Sequence, residues 1–121
     1  MVLWNRFIVT MYVTMWHQRG ETLLIRSFRD GWLQNFYLLD RSSKRIPGDI
    51  EDRLFRKLQI IDDATQDQDL RSPPSNHFEK LPGKLKGTHS IRVNKQWRLI
   101  FVWDSNTGEA TDLYLDNHSY R

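Results

Sequence analysis

Apolar and polar residues alternate most clearly over residues 88–103, where Ile91, Val93, Trp97, Leu99 and Phe101 take every second position once a turn is placed at Asn94-Lys95-Gln96. A period of two is that of a strand with one buried face. With that loop, Val93 faces Trp97, Arg92 faces Arg98 and Ile91 faces Leu99 across an antiparallel pair. The opposite face sets Arg92 beside Arg98, a repulsive arrangement unless an anion such as a phosphate lies between them. Both arginines being solvated or paired with carboxylates is the alternative at this point. A further strand is predicted over 110–116, after a loop at 104–108. Pairing Trp103 with Glu109 makes Phe101 face Thr111, Leu99 face Leu113, Arg98 face Tyr114 and Gln96 face Asp116. The open face then collects Arg92, Gln96, Arg98, Tyr114 and Asp116, with Ile100 and Val102 on the same side and His118 at the strand's end. A one-residue slip in either loop scatters this set.

Upstream the period changes. Residues 23–28 form a short apolar stretch that suits a strand. Asp30 is placed to cap a helix running to about residue 39, with Leu33, Phe36 and Tyr37 on its inner side. A longer helix is predicted over 47–65. Pro47 suits its first turn, Asp49, Glu51 and Asp52 favour the positive end of its dipole, and Ile50, Leu54, Leu58 and Ile61 make its buried stripe. Residues 67–76, broken by Pro73-Pro74, read as loop. Residues 1–16 are apolar but interrupted by Asn5 and Arg6, too short to span a bilayer and followed by no small-residue cleavage site. β-branched residues there favour a strand or an irregular arm. The whole predicts an α+β fold: two helices packed on one face of a mainly antiparallel sheet.

A chain of 121 residues has room for one modest core. The absence of cysteine excludes a disulfide framework, thiolate zinc and a cysteine nucleophile, and it fits a reducing, cytoplasmic setting. The net charge of +3 says little, but its distribution is uneven. Residues 80–98 carry six cations and no carboxylate, whereas residues 49–69 carry seven carboxylates and three cations. That segregation predicts a basic surface of the kind a nucleic-acid binder uses, against the plainer alternative of a solvated charged face. No His/Asp/Glu spacing suggests a metal, and no glycine-rich phosphate loop is present.

Several stretches together resemble the HigB toxins, a branch of the RelE/ParE superfamily of bacterial toxin–antitoxin pairs. They are Ile25-Arg26-Ser27-Phe28, Asp49-Ile50-Glu51-Asp52-Arg53-Leu54, Asp62-Asp63-Ala64-Thr65, Asp69-Leu70-Arg71-Ser72-Pro73-Pro74, His89-Ser90-Ile91-Arg92-Val93-Asn94, Gln96-Trp97-Arg98 and Asp116-Asn117-His118. The resemblance covers about residues 24–121 and makes residues 1–23 an extension, as a non-AUG start at Leu24 would explain. It implies a small RelE-like domain that cuts messenger RNA in the ribosomal A site by metal-independent attack of a 2′-hydroxyl, with no cofactor. It also implies silencing by a helix-turn-helix antitoxin of the HigA type, contact with operator DNA only through that antitoxin, and no membrane partner.

The same resemblance assigns roles. Arg98 matches the family's arginine after tryptophan and is expected at the scissile phosphate. His118 matches the terminal histidine, a residue type suited to acid–base work. Asp116 is expected to orient His118 or contact a base, and Gln96 takes a polar position that is asparagine in some members. Arg92, Lys80, Lys84, Lys86 and Lys95 are expected to hold the RNA backbone. Glu79 and Pro82 stand where some members have histidine and lysine, which leaves Glu79 as the available base. Asn117 replaces a common tyrosine, with Tyr114 or Tyr120 left for base stacking. His17, His77 and His89 are expected to be structural or exposed. The antitoxin is expected on the helices and first strand rather than over Ile100 and Val102. A non-catalytic, ParE-like gyrase inhibitor and a degenerate toxin that binds its antitoxin without cutting are the competing readings.

Overall fold

A computed structural model describes residues 25–118. The apolar arm, His17, Leu23, Leu24 and Tyr120 lie outside them. Within them a four-stranded antiparallel sheet runs in the order β1 (Glu79–Lys80), β2 (His89–Arg92), β3 (Trp97–Asp104), β4 (Glu109–Asn117). The helices α1 (Gly31–Leu39) and α2 (Glu51–Asp63) contribute their apolar stripes to one core with the sheet.

The first hairpin has the expected register, with Arg92 opposite Arg98 and Ile91 opposite Leu99. Asn94 builds its turn: its Oδ1 accepts from the backbone N–H of Gln96 at 2.8 Å and of Trp97 at 2.7 Å, an Asx-type turn that replaces missing ladder bonds. The second hairpin departs from the expected pairing in two places. Its turn is tighter, so that Asp104 rather than Trp103 pairs with Glu109. The ladder then shifts between Ile100 and Val102, and Asp112, with φ of 54°, sits in β4 opposite that shift as a bulge residue. The two displacements add, so Arg98 faces Asp116 instead of Tyr114, Leu99 faces Leu115, and Ile100 faces Tyr114. Because they add to an even number, Leu99 and Phe101 still point into the core and Arg98 still shares a face with Asp116.

Residues 25–28 run parallel to β4 as isolated bridges, Ile25 to Ala110 and Phe28 to Leu113, on either side of the bulge. Ser27 and Arg29 fasten the bulge: the Asp112 N–H donates to Ser27 Oγ at 2.8 Å, and the Arg29 guanidinium grips the Asp112 carboxylate at 3.1 and 2.7 Å. That grip holds the Asp112 carboxyl below its usual range.

Helix α1 buries Leu33, Phe36 and Tyr37, and α2 buries Leu54, Leu58 and Ile61, as their spacing predicts. The longer helix is preceded by a 3-10 turn, Gly48–Ile50, rather than starting at Pro47. Tyr37 Oη donates to Asp62 Oδ2 at 2.7 Å while Asp62 Oδ1 accepts from the Ile25 N–H at 3.3 Å, tying both helices to the edge segment. The stretch 67–76 is not plain loop: it holds a short helix α3 (Asp67–Leu70) and a 3-10 turn, Pro74–Asn76. β1, which the sequence pattern did not predict, follows it. Ile100 was expected on an open face and is instead buried, leaving Val102 as the exposed apolar residue of β3.

Candidate functional site

The register places Arg98 and Asp116 side by side, and Arg98 Nε donates to Asp116 Oδ2 at 3.1 Å. Arg98 was expected on an open face; its side chain is only 9 % exposed, and that of Asp116 only 11 %. One consequence matters for chemistry. Arg98 Nη2 is buried and has no hydrogen-bond partner among the described residues. An unsatisfied buried guanidinium nitrogen carries a desolvation cost that an entering anion can relieve.

Arg98 lines a cavity of about 170 Å³ whose other walls include His118, Glu79, Arg92, Lys95 and His77. Each reaches it by a different route. Glu79 comes from β1, opposite Ser90 of β2. Arg92 and Lys95 come from the first hairpin. His118 follows β4, where its N–H donates to the Gln96 carbonyl at 2.5 Å and closes the sheet's end. The structure therefore brings together Arg98, His118, Glu79, Arg92 and Lys95 from the set read in the sequence. Asp116 reaches the cavity through its hold on Arg98.

The remaining sequence candidates lie elsewhere. Tyr114 is half-buried with the Arg29 guanidinium 3.8 Å above its ring. Lys80, Lys84 and Lys86 are exposed and line neither this cavity nor its neighbour. Gln96 lines the neighbour, a cleft of about 930 Å³ walled by α2, the turn 73–77 and the first hairpin. His89 packs flat on Phe78, with ring centroids 5.1 Å apart.

Sequence reasoning missed two features of the site. His77, read as loop, lines both cavities. It sits at φ of 47° directly after Asn76. Asn76 is wholly buried; its amide donates to the carbonyls of Leu70 and Ser72 at 3.1 Å each and accepts from Lys57 Nζ at 2.5 Å. A buried asparagine bonded on both ends fixes the turn that presents His77. The second feature is the basic face of α2. Arg53, Arg56 and Lys57 all line the larger cleft, and their spacing of three and four residues was the available signal. Burial, with Arg53 and Arg56 nearby, pushes the Lys57 ammonium below its usual pKa.

Comparison with known proteins gives a consistent picture. A family model described as the RelE-like toxin of the type II toxin–antitoxin system HigB matches residues 26–118. The chain is similar to Toxin HigB-1 of Vibrio cholerae, with 55 % identity over 93 residues, 77 % of this chain and 96 % of that protein. It is also similar to an uncharacterized protein of Haemophilus influenzae, with 46 % identity over 93 residues, 77 % of this chain and 90 % of that one.

Proposed function

Since the chain belongs to the HigB-like, RelE-type toxins of type II toxin–antitoxin systems, we propose that it is an endoribonuclease that cuts messenger RNA on the ribosome. The observation that carries this reading is the buried, unpartnered Arg98 Nη2 at a cavity that also holds Glu79 and His118. The cut uses the RNA's own 2′-hydroxyl. Its oxygen attacks the adjacent phosphorus, the bond from phosphorus to the 5′-oxygen breaks, and a 2′,3′-cyclic phosphate is left on the upstream fragment. Arg98 takes the non-bridging oxygens on which charge grows, a role worth several kcal/mol when the donor is fixed in advance. Asp116 is its positioning residue. Glu79 accepts the 2′-hydroxyl proton and His118 delivers one to the departing 5′-oxygen. Arg92 and Lys95 hold neighbouring phosphates.

A type II toxin has an antitoxin partner, and we assign a helix-turn-helix protein of the HigA type to that place. The helices and the 25–28 edge are its expected contact, which leaves the cavity open.

The test is growth arrest on induction, together with mapped mRNA ends, for Arg98→Lys and His118→Ala, with melting temperature as the control. Both folded variants are expected to lose toxicity and cleavage. Full toxicity in folded Arg98→Lys would remove the nuclease reading and favour a gyrase-type or purely binding toxin.

A further inference from the structure

The carboxylate-rich segment 49–69 carries three cations, and all of them, Arg53, Arg56 and Lys57, line the 930 Å³ cleft. Three of its carboxylates are occupied elsewhere. Asp62 holds Tyr37 and Ile25, Asp67 accepts from Trp103 Nε1 at 2.7 Å and Ser105 Oγ at 2.9 Å, and Asp69 accepts from Thr65. Across the cleft stand Arg92 and Lys95. Among the described residues no acidic side chain is in its wall, and Arg53, Arg56, Arg92 and Lys95 form no ion pair. Five cations converging without a carboxylate raise one another's energy until an anion enters.

The cleft is continuous with the small cavity. His77, Arg92, Asn94 and Lys95 belong to both walls. Apart from His77, the described residues of the larger wall include no aromatic ring on which a base would stack; the apolar ones are Ile60, Pro73 and Val93. Such a surface suits a backbone of repeated charges and reads no bases.

We propose that this cleft is the track for the RNA strand beyond the cleavage point, with Arg53 and Arg56 of α2 binding phosphates of the same strand that Arg98 engages. The assignment rests on the nuclease reading for its substrate, and it extends the site onto a helix whose composition is acidic overall. Continuity with the small cavity favours a nucleic-acid strand over an acidic polypeptide. Lys57, bonded to Asn76 at the cleft floor, supports the turn that carries His77 while adding its charge.

The test is binding, in the full-length chain, of a fully 2′-O-methylated single strand of about ten nucleotides, long enough to leave the small cavity and impossible to cut. Affinity is measured across a salt series for the wild type, for Arg53→Gln/Arg56→Gln, and for Arg98→Lys. Both α2 arginines are exposed, so the double variant is expected to keep its melting temperature. Its slope of log affinity against log salt should fall by about 1.4, roughly 0.7 for each single-strand phosphate released. An unchanged slope and affinity would overturn the track. So would a polyglutamate of matched charge that binds the wild type as tightly as the strand and loses as much in the double variant, since the cleft would then be an acidic-polypeptide site. Because the strand cannot be cleaved, failure of the nuclease reading would be seen separately, in message mapping, with this binding result intact.

Discussion

Arg98 meets two demands at one residue. Its Nε is spent on Asp116, and its buried Nη2 is left for a ligand. These demands respond differently to substitution. Arg98→Ala breaks a mostly buried ion pair with Asp116 and should cost about 3 kcal/mol of stability, so lost toxicity in that variant alone does not separate chemistry from folding. Arg98→Lys retains a cation beside Asp116 but not the planar fork, and a drop in cleavage on the order of 100-fold is expected with the melting temperature nearly kept. His118 is exposed, so His118→Ala should change stability by less than about 0.5 kcal/mol. Its cleavage should fall by about 100-fold to 10,000-fold, as for loss of a general acid. Cleavage at wild-type rate in either variant, measured on ribosome-bound message, would take that residue out of the mechanism.

At the scale of elements, the site depends on how turns and a bulge set the register. Gly108 ends the β3–β4 turn at φ of 72°, and a Cβ there would lie 2.6 Å from the Thr65 carbonyl oxygen. Gly108→Ala should cost about 2 kcal/mol, read as a fall of roughly 10 °C in melting temperature. The stack of His89 on Phe78 secures the segment leading into β1, and burial holds the His89 imidazole below its ordinary 6.5, with Lys80 lowering it further and Asp67 opposing. The unfolded chain takes up that proton near 6.5 where the folded chain resists it, so this contribution is complete above 6.5 and declines as pH falls below it. His89→Phe, which preserves a ring on Phe78, should flatten the loss of melting temperature between about pH 7 and pH 5. An equal loss in both proteins would refute this. Much of the fold was legible because periodicity is local: the stripes of α1 and α2 and the first hairpin follow from residue spacing. The second hairpin was not, because a tighter turn and the Asp112 bulge depend on Gly108 meeting Thr65 and on Arg29 gripping Asp112, contacts between residues far apart in sequence. β1 is a two-residue strand, too short for any period. The same limit hid His77, whose place depends on Asn76 reaching Lys57.

At the scale of the molecule, the small cavity lined by Arg98 and His118 opens into a larger basic cleft, and the two supply different things. Among the described residues the cleft offers charge and, beyond His77, no stacking surface, so it suits a backbone without fixing the angle at any one phosphate. In-line attack needs the 2′-oxygen, phosphorus and departing oxygen aligned, and that alignment is worth more to the rate than residence near the cations. The small cavity has Trp97 as an aromatic wall, but Trp97 also packs against the core, and Tyr114 is covered by Arg29. The described residues therefore offer no free pair of rings on which to splay two nucleotides. Under the proposed function, a ribosome-bound message would arrive with its codon already held, which would supply that order. Cleavage of ribosome-bound message should exceed that of naked message by at least about 100-fold at matched salt, a modest share of what orientation contributes. Lower salt should tighten binding of the naked strand without closing that gap, because counterion release strengthens the grip and leaves the angle free. Equal rates on the two substrates would show that the protein aligns its substrate unaided, and the ribosome would drop out of the mechanism.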